Sequence, residues 1–315
     1  MKGDASLFAA VDLGSNAFRM MIGQRVLRDK RLVIEKIKTL REPVRLAEGL
    51  QDNALDPRAL ERGWQALERF GKRLRGFEEA RVRAVATSAV RQARNASTFL
   101  VGAEARLGFP IDVISGQEEA TLVYAGIAHT MPCESTTRLV VDIGGGSTEL
   151  IIGRGSQPIF TESVAVGSGA FGKRYFYDGR VDSRSLQAAE QAACMQFARA
   201  ARQVRQHGWH IAVGSSGTAR MLAKVLKANE LNDGSRDGIT YTGLLRLSLQ
   251  LLEAGQVKRL KLDGLQTHRL GTLPGGLAVM LAAFKVFGIE EMFPSEPGLR
   301  FGLLHGLMHG GARHC

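Results

Sequence analysis

Two segments of this sequence follow one design. Asp12-Leu13-Gly14-Ser15-Asn16 and Asp142-Ile143-Gly144-Gly145-Gly146-Ser147-Thr148 each place an acid at the end of an apolar run, then glycine, then hydroxyl or amide side chains. A second apolar run follows each, Phe18 to Ile22 and Glu149 to Ile152, so each segment reads as a β-hairpin. A supersecondary unit that recurs within one chain predicts two similar halves.

The rest of the pattern fits two mixed α/β lobes. Val33 to Ile37 extends the first sheet, and Asp56-Pro57 starts a helix carrying Leu60, Trp64, Leu67, Phe70 and Leu74 at helical spacing. Strands follow at Val82 to Thr87 and Ile111 to Ile114, each with a helical stretch behind it. In the second half, a helix is predicted over Ser183 to Gln206 and a strand over Ile211 to Val213, with helical periodicity again at 219–226, 244–252 and 276–286. No Pro/Ser-rich linker separates the halves, so the division into domains at 1–128 and 129–315 rests on the repeat. Trp64, on the apolar face of its helix, is assigned to the core.

A chain of 315 residues, 44% hydrophobic and 23% charged, can bury two cores, which argues against a single small binding module. Cys133, Cys194 and Cys315 are too few and too far apart for a disulfide framework or cysteine zinc site, and point to a reducing cytoplasm. The first residues do not resemble an export signal, and no stretch reads as long and apolar enough to span a bilayer. A net charge of +11 favours anionic partners, polyphosphate among them. Its spread over Arg25 to Arg31, Arg69 to Arg83 and Arg199 to Arg205, without a basic arm or tail, is equally a solvated surface, so charge alone selects the class of anionic partner and nothing finer; nucleic acid and membrane are not the partners expected.

The paired turns suggest the anion. Glycine lets backbone N–H groups turn toward phosphate, and hydroxyls add donors without bulk. Either turn alone is equally a tight hairpin, but the repetition favours phosphate, with Ser15, Asn16, Gly144, Gly145, Gly146, Ser147 and Thr148 as candidate ligands. Asp12 and Asp142 end buried strands and Glu149 opens one, positions where a carboxylate needs compensation. Mg²⁺ or another divalent cation would supply it, since Mg²⁺ takes one or two carboxylates together with substrate phosphates. Hydrogen bonds from turn amides, or a surface position for Glu149, are the plain alternatives.

Ser115-Gly116-Gln117-Glu118 has the spacing of a capping box, which gives Glu118 a structural task. Glu119 is then free to act as a general base toward water, or merely to sit exposed in the first helical turn. Arg91, beyond a strand end in Thr87-Ser88-Ala89-Val90-Arg91 and followed by Asn95, could fork onto a phosphoryl group. Gly214-Ser215-Ser216-Gly217-Thr218 is a further anion-friendly helix start, but it lacks the P-loop lysine. His305 and His309 lack the Glu of a zinc-protease pair, and Ser147 leads into a strand, unlike a hydrolase nucleophile elbow.

FAAVDLGSNAFRMMIG, ATSAVRQARN, VISGQEEATLVYAG and LVVDIGGGSTELIIG, extended by AVGSSGTAR and LPGGLAVM, closely resemble the exopolyphosphatase/guanosine pentaphosphatase (Ppx/GppA) family over nearly the whole chain. The resemblance implies an α/β fold of two ribonuclease-H-like lobes, the superfold of actin, heat-shock chaperone ATPases and sugar kinases, with an active cleft between them. It assigns the catalytic base to Glu119, phosphate and Mg²⁺ to Asp142, Gly144 to Thr148 and Glu149, and the facing half to Asp12, Ser15, Asn16 and Arg91. The implied activity is release of the terminal phosphate of inorganic polyphosphate. Alternatives are hydrolysis of the 5′ γ-phosphate of guanosine pentaphosphate, and low-turnover binding of polyphosphate or alarmone. A homodimer supported by a C-terminal helix is also implied. Long members carry further C-terminal helical domains, and this chain ends before them, which shifts the expected substrate toward short chains. Gly271 stands where many relatives carry an acid shortly before LPGG.

Overall fold

A computed structural model of the chain describes residues 7–28, 31–131, 135–233 and 238–309. Cys133, Cys315 and the N-terminal residues 1–5 lie outside them. The chain forms two compact units, one running to Thr130 and taking back the segment from Pro297, the other spanning Met131 to Glu296.

The sheet of the first unit contains β1 (Leu7–Leu13), β2 (Phe18–Arg28), β3 (Arg31–Glu42), β4 (Val82–Ala86) and β5 (Ile111–Val113) in the order β3-β2-β1-β4-β5. β1, β2 and β3 pair antiparallel, and β4 and β5 add in parallel. Period-two alternation gives the sheet two apolar faces. Ala9, Val11 and Leu13 join Phe70, Leu67 and Phe99 in one core, whereas Ala10, Met21 and Val85 face Leu303, Leu304 and Met308 in another. The first core is covered by α1 (Pro57–Leu74) and α3 (Ala96–Leu107); a short α2 (Ser88–Gln92) precedes α3. α1 starts as its sequence predicts: Asp56 accepts the N–H of Ala59 at 2.6 Å, and Pro57 fills the first turn. Trp64 packs against this core from its rim, half-buried, and its indole N–H donates to the carbonyl of Phe99 at 2.9 Å.

α4 (Gly116–Thr130) and α10 (Leu299–Met308) cover the other face. The C-terminal segment therefore returns to the first unit, which corrects the expected domain 129–315. The physical reason is a close backbone crossing. A Cβ added at Gly302 would lie 1.9 Å from the carbonyl oxygen of Leu122, and one at Gly126 would lie 2.4 Å from that of Gly298. Only glycine fits at either position.

The second unit repeats the order. β6 (Thr137–Ile143), β7 (Thr148–Arg154), β8 (Gln157–Val164), β9 (Ile211–Gly214) and β10 (Glu291–Pro294) run β8-β7-β6-β9-β10, with the two-residue strand Ile239–Thr240 at the far edge. Again the first three pair antiparallel, and the next two are parallel. Both units thus have ribonuclease-H-like topology. The helices are α5 (Ser168–Tyr175), α6 (Ser183–His207), α7 (Gly217–Ala228), α8 (Tyr241–Ala254) and α9 (Leu273–Phe287). Contrary to the sequence expectation, Thr267–Phe287 is long and apolar enough to cross a membrane, with a mean hydropathy of 1.6. It is a core helix here, 72% buried, and packs against α5 and α6.

Candidate active site

In the first unit, register aligns three strand ends. Leu13 pairs with Ala86, and Ala86 with Val113, so Gly14 to Asn16, Thr87 to Arg91 and Ser115 to Glu119 all emerge from the same edge of the sheet. The C-terminal edge of parallel strands is where α/β sheets hold ligands. Ser15 is buried, and the carbonyls of Ser15 and Asn16 accept the N–H groups of Ala47 and Arg45 at 3.0 and 2.9 Å, pinning the turn.

Glu119 is not the exposed first-turn acid of the plain alternative, since its side chain is only 12% exposed. Arg91 reaches its Oε2 at 3.4 Å with the same Nη1 that donates to the carbonyl of Ile114 at 2.7 Å. Arg91 is therefore anchored to main chain and holds one carboxylate oxygen in place. Ser115 caps α4 by accepting the N–H of Glu118 at 3.1 Å, as the box predicts. The glutamate's role differs: its carboxylate takes Nη2 of Arg83 at 2.9 Å. Asn95 is structural, with its amide bonded at 2.9 Å to both the N–H and the carbonyl of Leu55.

Asp12 has partners that the sequence reading missed. In the hairpin register it faces Arg19, and Oδ2 lies 3.3 Å from Nη1 of Arg300 on α10. Burial pushes its carboxyl above the ordinary value, and the charges of Arg300 and Arg19 pull it back. Arg19 could have been found by counting outward from the turn, because Asp12 and Arg19 are equidistant from it. Arg300, nearly three hundred residues away, has no local signal.

In the second unit, Asp142 faces Glu149 across β6 and β7. The hydroxyl of Ser215 donates to Oδ2 of Asp142, and that of Ser163 donates to Oε1 of Glu149 at 2.8 Å. Glu149 is 2% exposed, which rules out a surface position. Residues following β9 brace the acid strand: Thr218 donates to the carbonyl of Ile143 at 2.9 Å, and Ser216 caps α7 through the N–H of Ala219. Ser147 is buried beside the turn. Thr148, expected to bind phosphate, instead sends its hydroxyl inward to the carbonyl of Val166 at 2.5 Å.

The glycine turn has a support that the sequence reading also missed. Both the N–H and the hydroxyl of Ser168 donate to the carbonyl of Gly144 at 2.9 Å, while the N–H groups of Gly169 and Ala170 bond to that of Gly145. A Cβ at Gly167 would fall 2.5 Å from Gly145 and Gly146 main-chain atoms, so Gly167-Ser168-Gly169 lies directly on the turn. Its signal was the Gly-x-Gly sequence itself.

The two acids differ in fitness for a metal. Like charges opposed across strands are destabilising, and a divalent cation between Asp142 and Glu149 would relieve them with the hard oxygens Mg²⁺ favours. Among the described residues, no group of three or more His, Cys, Asp or Glu is placed to hold a metal. Two carboxylates match Mg²⁺, which draws its other ligands from water and phosphate. Asp12, between two arginines, does not fit.

Comparison with solved structures shows the same fold over nearly the full length. An exopolyphosphatase from Cytophaga hutchinsonii matches with a TM-score of 0.84 at 21% identity, covering 97% of this chain and 99% of that one. A Ppx/GppA family member from Aquifex aeolicus matches at 0.73 and 22%, covering 98% and 99%. An exopolyphosphatase-like protein matches at 0.79 and 24%, covering 97% and 98%. The model of the Ppx/GppA phosphatase family matches residues 25–310, and the chain belongs to that family.

Proposed function

We propose that the protein is an exopolyphosphatase that cleaves the terminal phosphate from inorganic polyphosphate and releases orthophosphate. The placement of Glu119 carries this reading: a sheltered carboxylate, held by an anchored arginine, at the strand-end edge that also carries the Gly14 to Asn16 turn. Glu119 accepts a proton from the water that attacks the terminal phosphorus in line. In the second unit the backbone N–H groups of Gly145 and Gly146 and the hydroxyl of Ser147 donate to phosphate oxygens, while the Gly144 N–H closes the turn on the Ser147 carbonyl at 2.9 Å; in the first unit the Ser15 hydroxyl and the Asn16 amide are the corresponding donors. Asp142 and Glu149 would hold Mg²⁺, which neutralises charge on the phosphate oxygens. With Thr148 bonded inward, its part is to fix the start of β7.

A cavity of about 150 Å³ in the second unit favours a second reading, hydrolysis of guanosine pentaphosphate. Arg220, Lys224 and Arg269 line it beside Met221 and Gln266, a mixture of cations and nonpolar surface that suits the nucleotide end of an anion.

The test is phosphate release with Mg²⁺ from polyphosphates of defined length and from guanosine pentaphosphate, using wild type and Glu119→Gln. The expected result is release by the wild type, with kcat about 10²–10⁴-fold lower in the variant. No release from any substrate would overturn the enzymatic reading in favour of a binding protein. Full activity in the variant would remove Glu119 as the base.

A further inference from the structure

The duplicated hairpins place an acid at equivalent positions but surround it with opposite charge. Asp142 faces Glu149, whereas Asp12 faces Arg19 and meets Arg300. The pair with Arg300 is sheltered, with side chains 14% and 17% exposed. Oδ1 of Asp12 lies 3.5 Å from where a Cβ on Gly14 would be, so the carboxylate leans over the phosphate-type turn while its other oxygen holds the arginine. A divalent cation on this carboxylate would sit within a few ångströms of a guanidinium, and the repulsion makes a poor metal site. A guanidinium fixed on the carboxylate that leans over the Gly14 turn is instead suited to a phosphate oxygen.

We propose that Asp12 is a positioning residue rather than a metal ligand, and that it presents Arg300, carried by the returning C-terminal helix, as a phosphate-binding residue of the first unit. The inference rests on the phosphoanhydride reading above for its substrate class. It gives the return of α10 a purpose beyond covering the sheet: α10 supplies the guanidinium that the Asp12 carboxylate holds, in addition to Arg19 across the hairpin.

Two equilibrium measurements test it without turnover. Mn²⁺ binding, followed by electron paramagnetic resonance, should be unchanged within about twofold in Asp12→Asn and weakened about tenfold or more in Asp142→Asn. Equal loss in both variants would make Asp12 a metal ligand and overturn the first half. Tripolyphosphate affinity without divalent ion should fall about tenfold in Arg300→Met and recover in part in Arg300→Lys. Unchanged affinity in Arg300→Met would reduce Arg300 to a structural ion pair and overturn the second half. Kinetics should show the same change in KM with a smaller effect on kcat. If the wild type bound both ligands as expected but released no phosphate, the proposed reaction would fail and this inference would stand.

Discussion

The crossing of α4 and α10 can be tested with two glycines on one helix. Gly302→Ala introduces a methyl group 1.9 Å from the carbonyl oxygen of Leu122 and 2.7 Å from its carbon, where ordinary contact begins at 3.4 Å. The helices must move apart by the difference, 3.4 − 1.9 = 1.5 Å, because the obstacle is main chain and cannot swing aside. Overpacking of this kind costs about 1–3 kcal/mol, with a rigid obstacle toward the upper end. Alanine's better helix propensity returns about 1 kcal/mol, which leaves a net loss of about 2 kcal/mol. Gly306→Ala is the internal control. It lies on the same helix with nothing within 4 Å of the added carbon, so it should stabilise by about 0.5–1 kcal/mol through propensity alone. Urea unfolding in a Trp209→Phe background reads the first unit through Trp64, the other of the two tryptophans. With a slope of about 2 kcal/mol per molar urea, the midpoint should fall by about 1 M for Gly302→Ala and rise slightly for Gly306→Ala. Equal shifts for the two substitutions would refute the close crossing and, with it, the reason for assigning the C-terminal segment to the first unit.

Three other outcomes follow from the geometry. His305 is pushed down to about 4, by burial first and then by the positive forms of His309 and His129, whose rings lie 4.2 and 4.7 Å away. Unfolded histidine therefore binds the proton more readily, and first-unit stability should fall as pH drops from about 6.5 toward 4. His305→Gln should flatten that limb of the urea-midpoint curve, and an unaltered limb would refute the assignment. Thr148→Val removes the donor to the buried carbonyl of Val166 and should destabilise the second unit by about 1–3 kcal/mol by urea unfolding, while KM stays within about twofold; a large rise in KM would restore Thr148 as a phosphate ligand. Gly167→Ala forces the Gly144 to Gly146 turn to move and should lower kcat/KM for phosphate release about tenfold or more, with urea unfolding changed by no more than about 3 kcal/mol.

The sequence showed features whose cause is local. The hairpin acids, the glycine turns, the Asp56-Pro57 helix start and the Ser115 cap each lie within a few residues of what determines them, and each stands where its pattern put it. Features that depend on the closed sheets were hidden. Glu118 looked like half of a capping box because its true partner, Arg83, is on strand β4, thirty-five residues earlier. Thr148 looked like a phosphate donor because the carbonyl it serves, that of Val166, is brought over by a third strand. The boundary near residue 130 stands, but the return of the C-terminal segment was hidden for the same reason: the glycines that admit α10, at 126 and 302, are far apart in sequence and neither shows its purpose alone.

The internal repeat gained meaning once the register was known. Repetition of an acid before a glycine turn suggests a shared role for Asp12 and Asp142, and a metal was the simplest common reason for both. The residue across the hairpin separates them, because that neighbour lies within about 5 Å on the same face and sets the local sign of charge. At Asp142 the neighbour is Glu149, and the proposed ligand is a cation; at Asp12 it is Arg19, joined by Arg300, and the proposed ligand is an anion. Phosphoryl transfer requires both, a cation to neutralise phosphate oxygens and fixed guanidinium groups to position them. A duplicated fold can provide the two from one backbone by changing a single position, the second residue of the returning strand in each hairpin, Arg19 in β2 and Glu149 in β7. Removing that neighbour's charge should therefore alter ligand affinity more than fold: Arg19→Gln should weaken tripolyphosphate binding while Arg300 still compensates Asp12, leaving the urea midpoint of the first unit within about 0.5 M of the wild type. A first unit that unfolds instead would show that Arg19 is chiefly the structural counter-ion of a buried acid.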